Sequence, residues 1–167
     1  MPPPKTAEYM YFCPNARDAI RRIIGQQKDY NWDKVLKIQE DSIMSKLLMS
    51  IKPVHVENIM DGTKKYEFRK VKCKERIDSI IIYSTAPVQK IVGEVEVMEI
   101  IEGKPQSVWT RTASAAGIDK DFFDKYYAGR ENAVAYALGR ITKYQRPLLL
   151  SDLGIKAAPQ SYVYVRG

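Results

Sequence analysis

The stretch Asp61–Lys70, DGTKKYEFRK, places two aromatic rings among alternating charges directly after a glycine. Successive side chains of a strand point to opposite faces, so Tyr66 and Phe68 share one face and Glu67 and Arg69 share the other. The aromatic face is typical of a core. The charged face is either solvated surface or the lining of a site, and the spacing alone does not choose between them.

The sequence on both sides predicts a small β-rich domain. A first strand is expected at 46–53, a run that ends at Pro53. Pro53 also suits the first turn of a helix with Val56, Ile59 and Met60 on one side and Gly62 at its end. Gly93 predicts a bulge or a close backbone approach. Further strands are predicted at 77–85, 90–101, 131–150 and 161–165. Two helices are predicted between 104 and 130, and Asp119 is the expected N-cap of the second. This order indicates an α+β fold, a small, mostly antiparallel β-barrel decorated by helices.

Residues 1–43 are predicted to form a separate N-terminal helical extension, with the barrel domain at 44–167. The extension carries seven basic and six acidic residues, so it accounts for +1 of the net charge of +7 and leaves +6 on the barrel. Its basic amphipathic helix either docks a protein partner or packs on the barrel as a satellite.

Composition narrows the function. Lys and Arg number 27 against 20 Asp and Glu, which favours nucleic acid or another polyanion as partner. His55 is the only histidine and there are two cysteines, so neither a metal site nor a Ser-His-Asp triad is expected. His55 itself is interpreted as a helix-surface residue.

Other classes find no support in the sequence. No glycine-rich nucleotide motif is present, so no cofactor is expected. No apolar run has the length of a membrane span, and the N-terminus does not have the order of a signal peptide. We therefore expect a cytoplasmic protein with no membrane partner.

Three segments stand out together: SIKP at 50–53, GTKKYEFR at 62–69 and APQSYVYV at 158–165. Their combination resembles the ASCH family, the activating signal cointegrator homology domains of the PUA-like barrel superfamily. The family pattern G-x-K-x-x-E-x-R is matched by Gly62, Lys64, Glu67 and Arg69. The resemblance runs from about Leu47 to Val165 and implies a PUA-like barrel with a cleft that binds RNA or a nucleotide-like ligand.

The resemblance also implies which residues line that cleft. Lys64 and Glu67 are the expected catalytic residues if the protein is an enzyme. Tyr83, Tyr162 and Tyr164 are possible stacking platforms for bases, and the basic residues between Lys70 and Arg76 form either a solvated loop or phosphate contacts. The ligand-binding candidates are Lys52, Gly62, Thr63, Lys64, Glu67, Arg69, Ser84, Gln160 and Ser161.

Three functions compete at this stage. The first is an RNA or nucleotide reader. The second is an enzyme, either a metal-independent ribonuclease or a nucleoside amidohydrolase that uses Lys64 with Glu94 or Glu96. The family's amidohydrolases carry a threonine nucleophile where this chain has Glu67, which argues against acyl transfer. The third is an assembly protein in which residues 1–43 dock a partner.

Overall fold

The computed structural model describes residues 45–165. The predicted N-terminal extension, and with it the predicted docking of a partner, lies outside the described residues. This part of the chain is built mainly of strands, with three α-helices. The strands are β1 (Lys46–Ile51), β2 (Tyr66–Arg69), β3 (Ser79–Ser84), β4 (Lys90–Gly103), β5 (Ala133–Leu148) and β6 (Tyr162–Val165). The α-helices are α1 (Pro53–Met60), α2 (Pro105–Thr112) and α3 (Lys120–Tyr126).

The six strands form one mixed sheet in the order β2-β5-β4-β3-β1-β6. β1 pairs with β3 in parallel, and α1 lies in the connection that leaves β1; the other four pairings are antiparallel. The sheet is a half-barrel, which confirms the predicted α+β class and mostly antiparallel architecture. β2 and β6 are the edge strands of this sheet among residues 45–165.

The central strands are buried on both faces. In β3 all six residues, SIIIYS, are buried; Ile80 and Ile82 join the cluster under α1, while Ile81 and Tyr83 join a second cluster on the opposite face. A strand covered on both sides favours a continuous apolar run over alternation. The run of isoleucines therefore follows from its central position.

A third apolar cluster holds the helical insertion between β4 and β5. Phe68 of β2 packs edge-on against Phe123 of α3, with ring centroids 5.2 Å apart. Val108 of α2 and Tyr127 at the end of α3 complete the same cluster, and Tyr66 packs against it. The prediction that Tyr66 and Phe68 face a core is confirmed, and α3 is thereby fixed beside β2.

Two sequence-based details of the backbone are also confirmed. A Cβ at Gly93 would lie 2.6 Å from the Thr142 carbonyl oxygen, and the β4–β5 register shifts between Ile91 and Gly93. Asp119 caps α3, because its carboxylate accepts a hydrogen bond from the Phe122 N–H at 2.7 Å.

Candidate functional site

A pocket of about 470 Å³ lies beside β2, lined also by residues of β1, α1, α3 and the segment before β6. This volume is in the range of small-ligand sites. Its aromatic lining is Phe68, Phe122 and Tyr126, and its charged and polar lining includes Lys52, His55, Lys64, Glu67, Arg69 and Gln160.

Three charged residues of the pocket are buried together. Lys64, Glu67 and Arg69 are 3%, 6% and 9% exposed. An Arg69 Nη2 lies 3.1 Å from one Glu67 carboxylate oxygen, and Lys64 Nζ lies 3.8 Å from the other. Burial of charged groups costs free energy unless they are paired. Two cations share one carboxylate here, so the cluster carries an excess positive charge.

Lys64 is held in place from several sides. Its Nζ donates a hydrogen bond to the Ala116 carbonyl at 3.1 Å and lies 4.8 Å from the centre of the Phe68 ring. Burial lowers the pKa of this ammonium below its ordinary 10.5; the Glu67 carboxylate acts in the opposite direction, and Arg69 lowers the pKa further.

Gly117 forms part of the packing around Lys64. It has a positive φ of 65°, and a Cβ there would lie 2.4 Å from the Lys64 Cβ. Only glycine satisfies both the left-handed backbone and this close approach. The loop between α2 and α3 therefore shapes the site, although it contributes no charged group to the cluster.

Arg69 connects β2 to β1. One Nη2 hydrogen bond, 2.8 Å long, goes to the Ser50 carbonyl. The Tyr127 hydroxyl lies 2.9 Å from the Arg69 carbonyl, which secures the end of β2 to α3. The buried Nε of Arg69 finds no hydrogen-bond partner within residues 45–165. A guanidinium with an unused, buried N–H is prepared to bind an acceptor.

His55 lies on α1, as the helix-surface interpretation expected, but it is half-buried and lines the pocket. Its ring contacts Phe122 edge-on, with centroids 5.6 Å apart, and its buried Nδ1 has no hydrogen-bond partner in the part of the chain described. Burial lowers the pKa of His55 below 6.5, and the positive charge of Lys64 lowers it further. His55 is therefore neutral at pH 7.

Two aromatic residues of the pocket were absent from the sequence-based candidates. Phe122 and Tyr126 are four residues apart, so they lie on the same face of α3, while Phe123 and Tyr127 face the core. The sequence feature that could have identified them is the pair of aromatic doublets, FF at 122–123 and YY at 126–127, four residues apart. It indicates that one aromatic of each pair is core and that the other is free to face a ligand.

The remaining candidates are divided by the fold. Lys52 and Gln160 line the pocket. Ser50 positions the segment beside Gln160, because its hydroxyl donates to the Pro159 carbonyl at 2.7 Å. The other four candidates do not line the pocket. Gly62 follows α1 with a φ of 83°, and Thr63 is exposed and hydrogen-bonds the Asp61 carboxylate. Ser84 is buried, and the Ser161 carbonyl accepts a hydrogen bond from the Ser50 N–H.

The tyrosines proposed as stacking platforms lie elsewhere. Tyr83 belongs to the cluster on the far face of the sheet, and the hydroxyls of Tyr162 and Tyr164 bind the loop that follows β2. Tyr83 borders a more open depression of about 550 Å³ whose lining contains no buried charged group. The pocket beside β2 is therefore the better candidate site.

The glutamates considered for amidohydrolase chemistry also lie outside the pocket. Glu94 pairs with Lys46 at 2.9 Å and accepts a hydrogen bond from Ser79, while Glu96 pairs with Arg140. At the position where the resemblance expects a threonine nucleophile, the pocket contains the carboxylate of Glu67. The geometry thus gives acyl transfer no support.

Residues 45–165 contain neither a membrane-spanning helix nor a metal-binding cluster. No helix there has the length and apolar character required to cross a membrane. No three His, Cys, Asp or Glu side chains in the same range are grouped so that they form a metal site.

The half-barrel and the buried Lys64–Glu67–Arg69 cluster define an α+β domain with a charged pocket beside β2. The ASCH domain family model matches residues 49–143, more than half of the chain. The chain therefore belongs to the ASCH domain family, as the G-x-K-x-x-E-x-R pattern indicated.

Two ASCH proteins and one protein of another name are similar to this chain. An ASCH domain-containing ribonuclease of Zymomonas mobilis is 30% identical over 124 residues, covering 71% of this chain and 83% of that protein. A crystal structure of ASCH from Zymomonas mobilis superposes with a TM-score of 0.67 and 27% identity, covering 72% and 87% of the two chains. The ATP synthase subunit alpha of Ureaplasma parvum is 25% identical over 150 residues, and the chain spans 18% of its length.

Proposed function

We propose that this protein binds single-stranded RNA and accommodates one of its nucleotides in the pocket beside β2. The observation that carries the proposal is the buried pair of cations, Lys64 and Arg69, which share the single carboxylate of Glu67. The excess positive charge lines a pocket of nucleotide-compatible size and attracts a phosphate.

The other walls of the pocket can stack against a nucleotide base and form hydrogen bonds with it. Phe122 and Tyr126 offer aromatic faces for stacking, which contributes about 1–3 kcal/mol per base in single-strand binding proteins. The unpartnered nitrogens of His55 and Arg69 are available for hydrogen bonds to a ligand. Single-stranded RNA offers unstacked bases and accessible phosphates together, whereas the bases of an RNA duplex are paired and stacked.

Fluorescence anisotropy with a labelled single-stranded RNA tests the proposal. Lys64→Ala should weaken binding at least tenfold, while Lys65→Ala, at the adjacent exposed position, should leave it nearly unchanged. Affinity should fall steeply with added salt, because bound phosphates release counterions. Equal affinity of the two variants, or binding that salt does not weaken, would contradict the proposal.

A second function, RNA cleavage, is favoured by the 30% identity to the Zymomonas mobilis ribonuclease. In the reaction, the ribose 2′ oxygen attacks the adjacent phosphorus and the bond to the 5′ oxygen breaks, which leaves a 2′,3′-cyclic phosphate and a 5′ hydroxyl. Lys64 stabilises the negative charge that develops on the phosphorane. Neutral His55 or the Glu67 carboxylate accepts the proton of the 2′ hydroxyl, and the same group, once protonated, returns it to the departing 5′ oxygen.

Analysis of the RNA ends tests cleavage separately from binding. Incubation in EDTA and in Mg²⁺ should yield the same cyclic phosphate ends in both buffers, and Lys64→Ala should abolish them. An RNA with a 2′-deoxyribose at the cleavage position should bind and remain intact. Cleavage of that substrate, or products with a 5′ phosphate, would rule out this reaction.

A further inference from the structure

The loop that follows β2, residues 70–76 (KVKCKER), is called the basic loop below. Lys70, Lys72, Lys74 and Arg76 are all exposed, whereas Cys73 between them is buried. The loop starts at Lys70, next to Arg69 of the pocket. Four cations therefore project into solvent from one short segment that begins where the pocket lining ends.

Tyrosine hydroxyls hold the backbone of the basic loop in place. The Tyr136 hydroxyl accepts the N–H of Cys73 at 2.9 Å. The Tyr164 hydroxyl accepts the two successive N–H groups of Lys74 and Glu75 at 2.8 and 3.0 Å. Tyr162 donates more weakly to the Lys72 carbonyl at 3.5 Å. An ordinary solvated charge run does not have its backbone fixed in this way.

These bonds also bridge the open side of the half-barrel. Tyr162 and Tyr164 belong to β6 and the basic loop follows β2, and these two strands are the sheet edges in the described part of the chain. The backbone of the basic loop is hydrogen-bonded to the sheet, and its long cationic side chains are exposed to solvent.

A direct contact makes the basic loop continuous with the pocket. The Lys70 ammonium lies 4.8 Å from the centre of the Tyr126 ring, and Tyr126 lines the pocket. A base that stacks on Tyr126 would place its flanking phosphate near Lys70. Lys72 is partly neutralised by Glu102, 3.1 Å away, so Lys74 and Arg76 are the stronger candidates for the following phosphates.

We propose that the basic loop is a second RNA-binding surface, along which the sugar-phosphate backbone of the strand continues after one nucleotide has entered the pocket. The inference rests on the proposed function of the pocket and deepens it. The ligand is an oligonucleotide, and affinity is expected to grow with its length. Fixation of the loop by Tyr136 and Tyr164 lowers the entropy lost on binding, since the cations are already positioned.

Anisotropy and calorimetric titration of the full chain test this surface. The ligands are uridine monophosphate and single-stranded oligouridylates of two, four and eight nucleotides. The test variant is Lys74→Gln/Arg76→Gln. The matched control is Lys143→Gln/Arg146→Gln, which removes two exposed cations from β5, outside the basic loop and outside the pocket lining.

The test variant should bind the octanucleotide roughly tenfold more weakly, while monophosphate affinity stays unchanged. Its slope of log affinity against log salt should fall by about 1.4, which is two phosphate contacts at about 0.7 each. Tyr164→Phe removes the acceptor for two loop N–H groups without a change of charge. It should also weaken octanucleotide binding and spare the monophosphate, a pattern that a general loss of stability would not produce.

Two results separate the failure of this inference from the failure of the pocket. If wild type binds the monophosphate and the octanucleotide equally well, or if the control variant loses as much affinity as the test variant, the basic loop is not a binding surface and the pocket function stands. If wild type binds none of the ligands, both proposals are overturned.

Discussion

The Lys64 ammonium lies 3.8 Å from the Glu67 carboxylate, and both side chains are buried. Glu67 pairs at the shorter distance of 3.1 Å with Arg69, so it would keep a partner if Lys64 were removed. Lys64 and Arg69, in contrast, both depend on Glu67 as their counterion. This asymmetry leads to opposite expectations for the two sides of the ion pair.

Substitution of Lys64 by methionine should not reduce stability. Burial lowers the pKa of Lys64, so the folded state holds its proton less tightly than the unfolded state. The stability associated with this group is present only above its ordinary pKa of 10.5 and is lost as pH falls through the folded value. At pH 7 the buried charge is thus a cost.

Urea unfolding at pH 7 should therefore give Lys64→Met a free energy of unfolding equal to or above that of wild type, while RNA binding is lost. Lys65→Met provides the exposed control. A marked loss of stability in Lys64→Met with RNA binding retained would show that Lys64 serves the fold and not the ligand.

Glu67→Gln should be strongly destabilising, because it leaves two buried cations without a counterion. Breaking a buried pair in this way costs about 3–5 kcal/mol. The matched control is Glu57→Gln on the exposed face of α1. The double variant Lys64→Met/Glu67→Gln removes one of the orphaned cations and should regain part of the lost stability. Additive effects of the two substitutions would contradict this coupling.

Gly117→Ala should displace Lys64, and Gly129→Ala is its matched control. Both glycines have a positive φ, 65° and 71°, so alanine strains the backbone at either position by about 1–2 kcal/mol. Only at Gly117 does the new Cβ meet Lys64; at Gly129 it would meet nothing within 4 Å. We expect Gly117→Ala to lose more stability than Gly129→Ala, and RNA binding to weaken only in Gly117→Ala. Equal binding by both would remove Gly117 as a positioning residue.

His55 should make stability depend on pH. Burial holds its folded pKa below the ordinary 6.5, so the folded state binds fewer protons than the unfolded state. The contribution of His55 to the free energy of unfolding is complete above about pH 6.5 and is lost as pH falls through its folded pKa. His55→Gln should abolish this part of the pH dependence. Unfolding of both proteins between about pH 8 and about pH 5 measures it, and parallel curves would contradict the prediction.

Local pattern was sufficient for much of the fold. The isoleucine run of β3, Pro53 at the start of α1 and Asp119 at the start of α3 each depend on neighbouring residues, and all appear as predicted. The G-x-K-x-x-E-x-R spacing likewise identified the charged cluster and the family. Such features are set by steric and hydrogen-bonding preferences within a few residues, so they can be predicted from the sequence.

What the sequence alone determined is the set of elements, the family and the three charged residues of β2 and its turn. Tertiary structure decided which residues join them: it brought His55 and the α3 aromatics Phe122 and Tyr126 into the pocket. It also assigned Tyr162 and Tyr164 to the basic loop. These outcomes depend on contacts between residues distant in the chain. A half-buried aromatic or histidine has the same local pattern in a core, at a pocket or against a loop, so only the packing of the whole sheet distinguishes them.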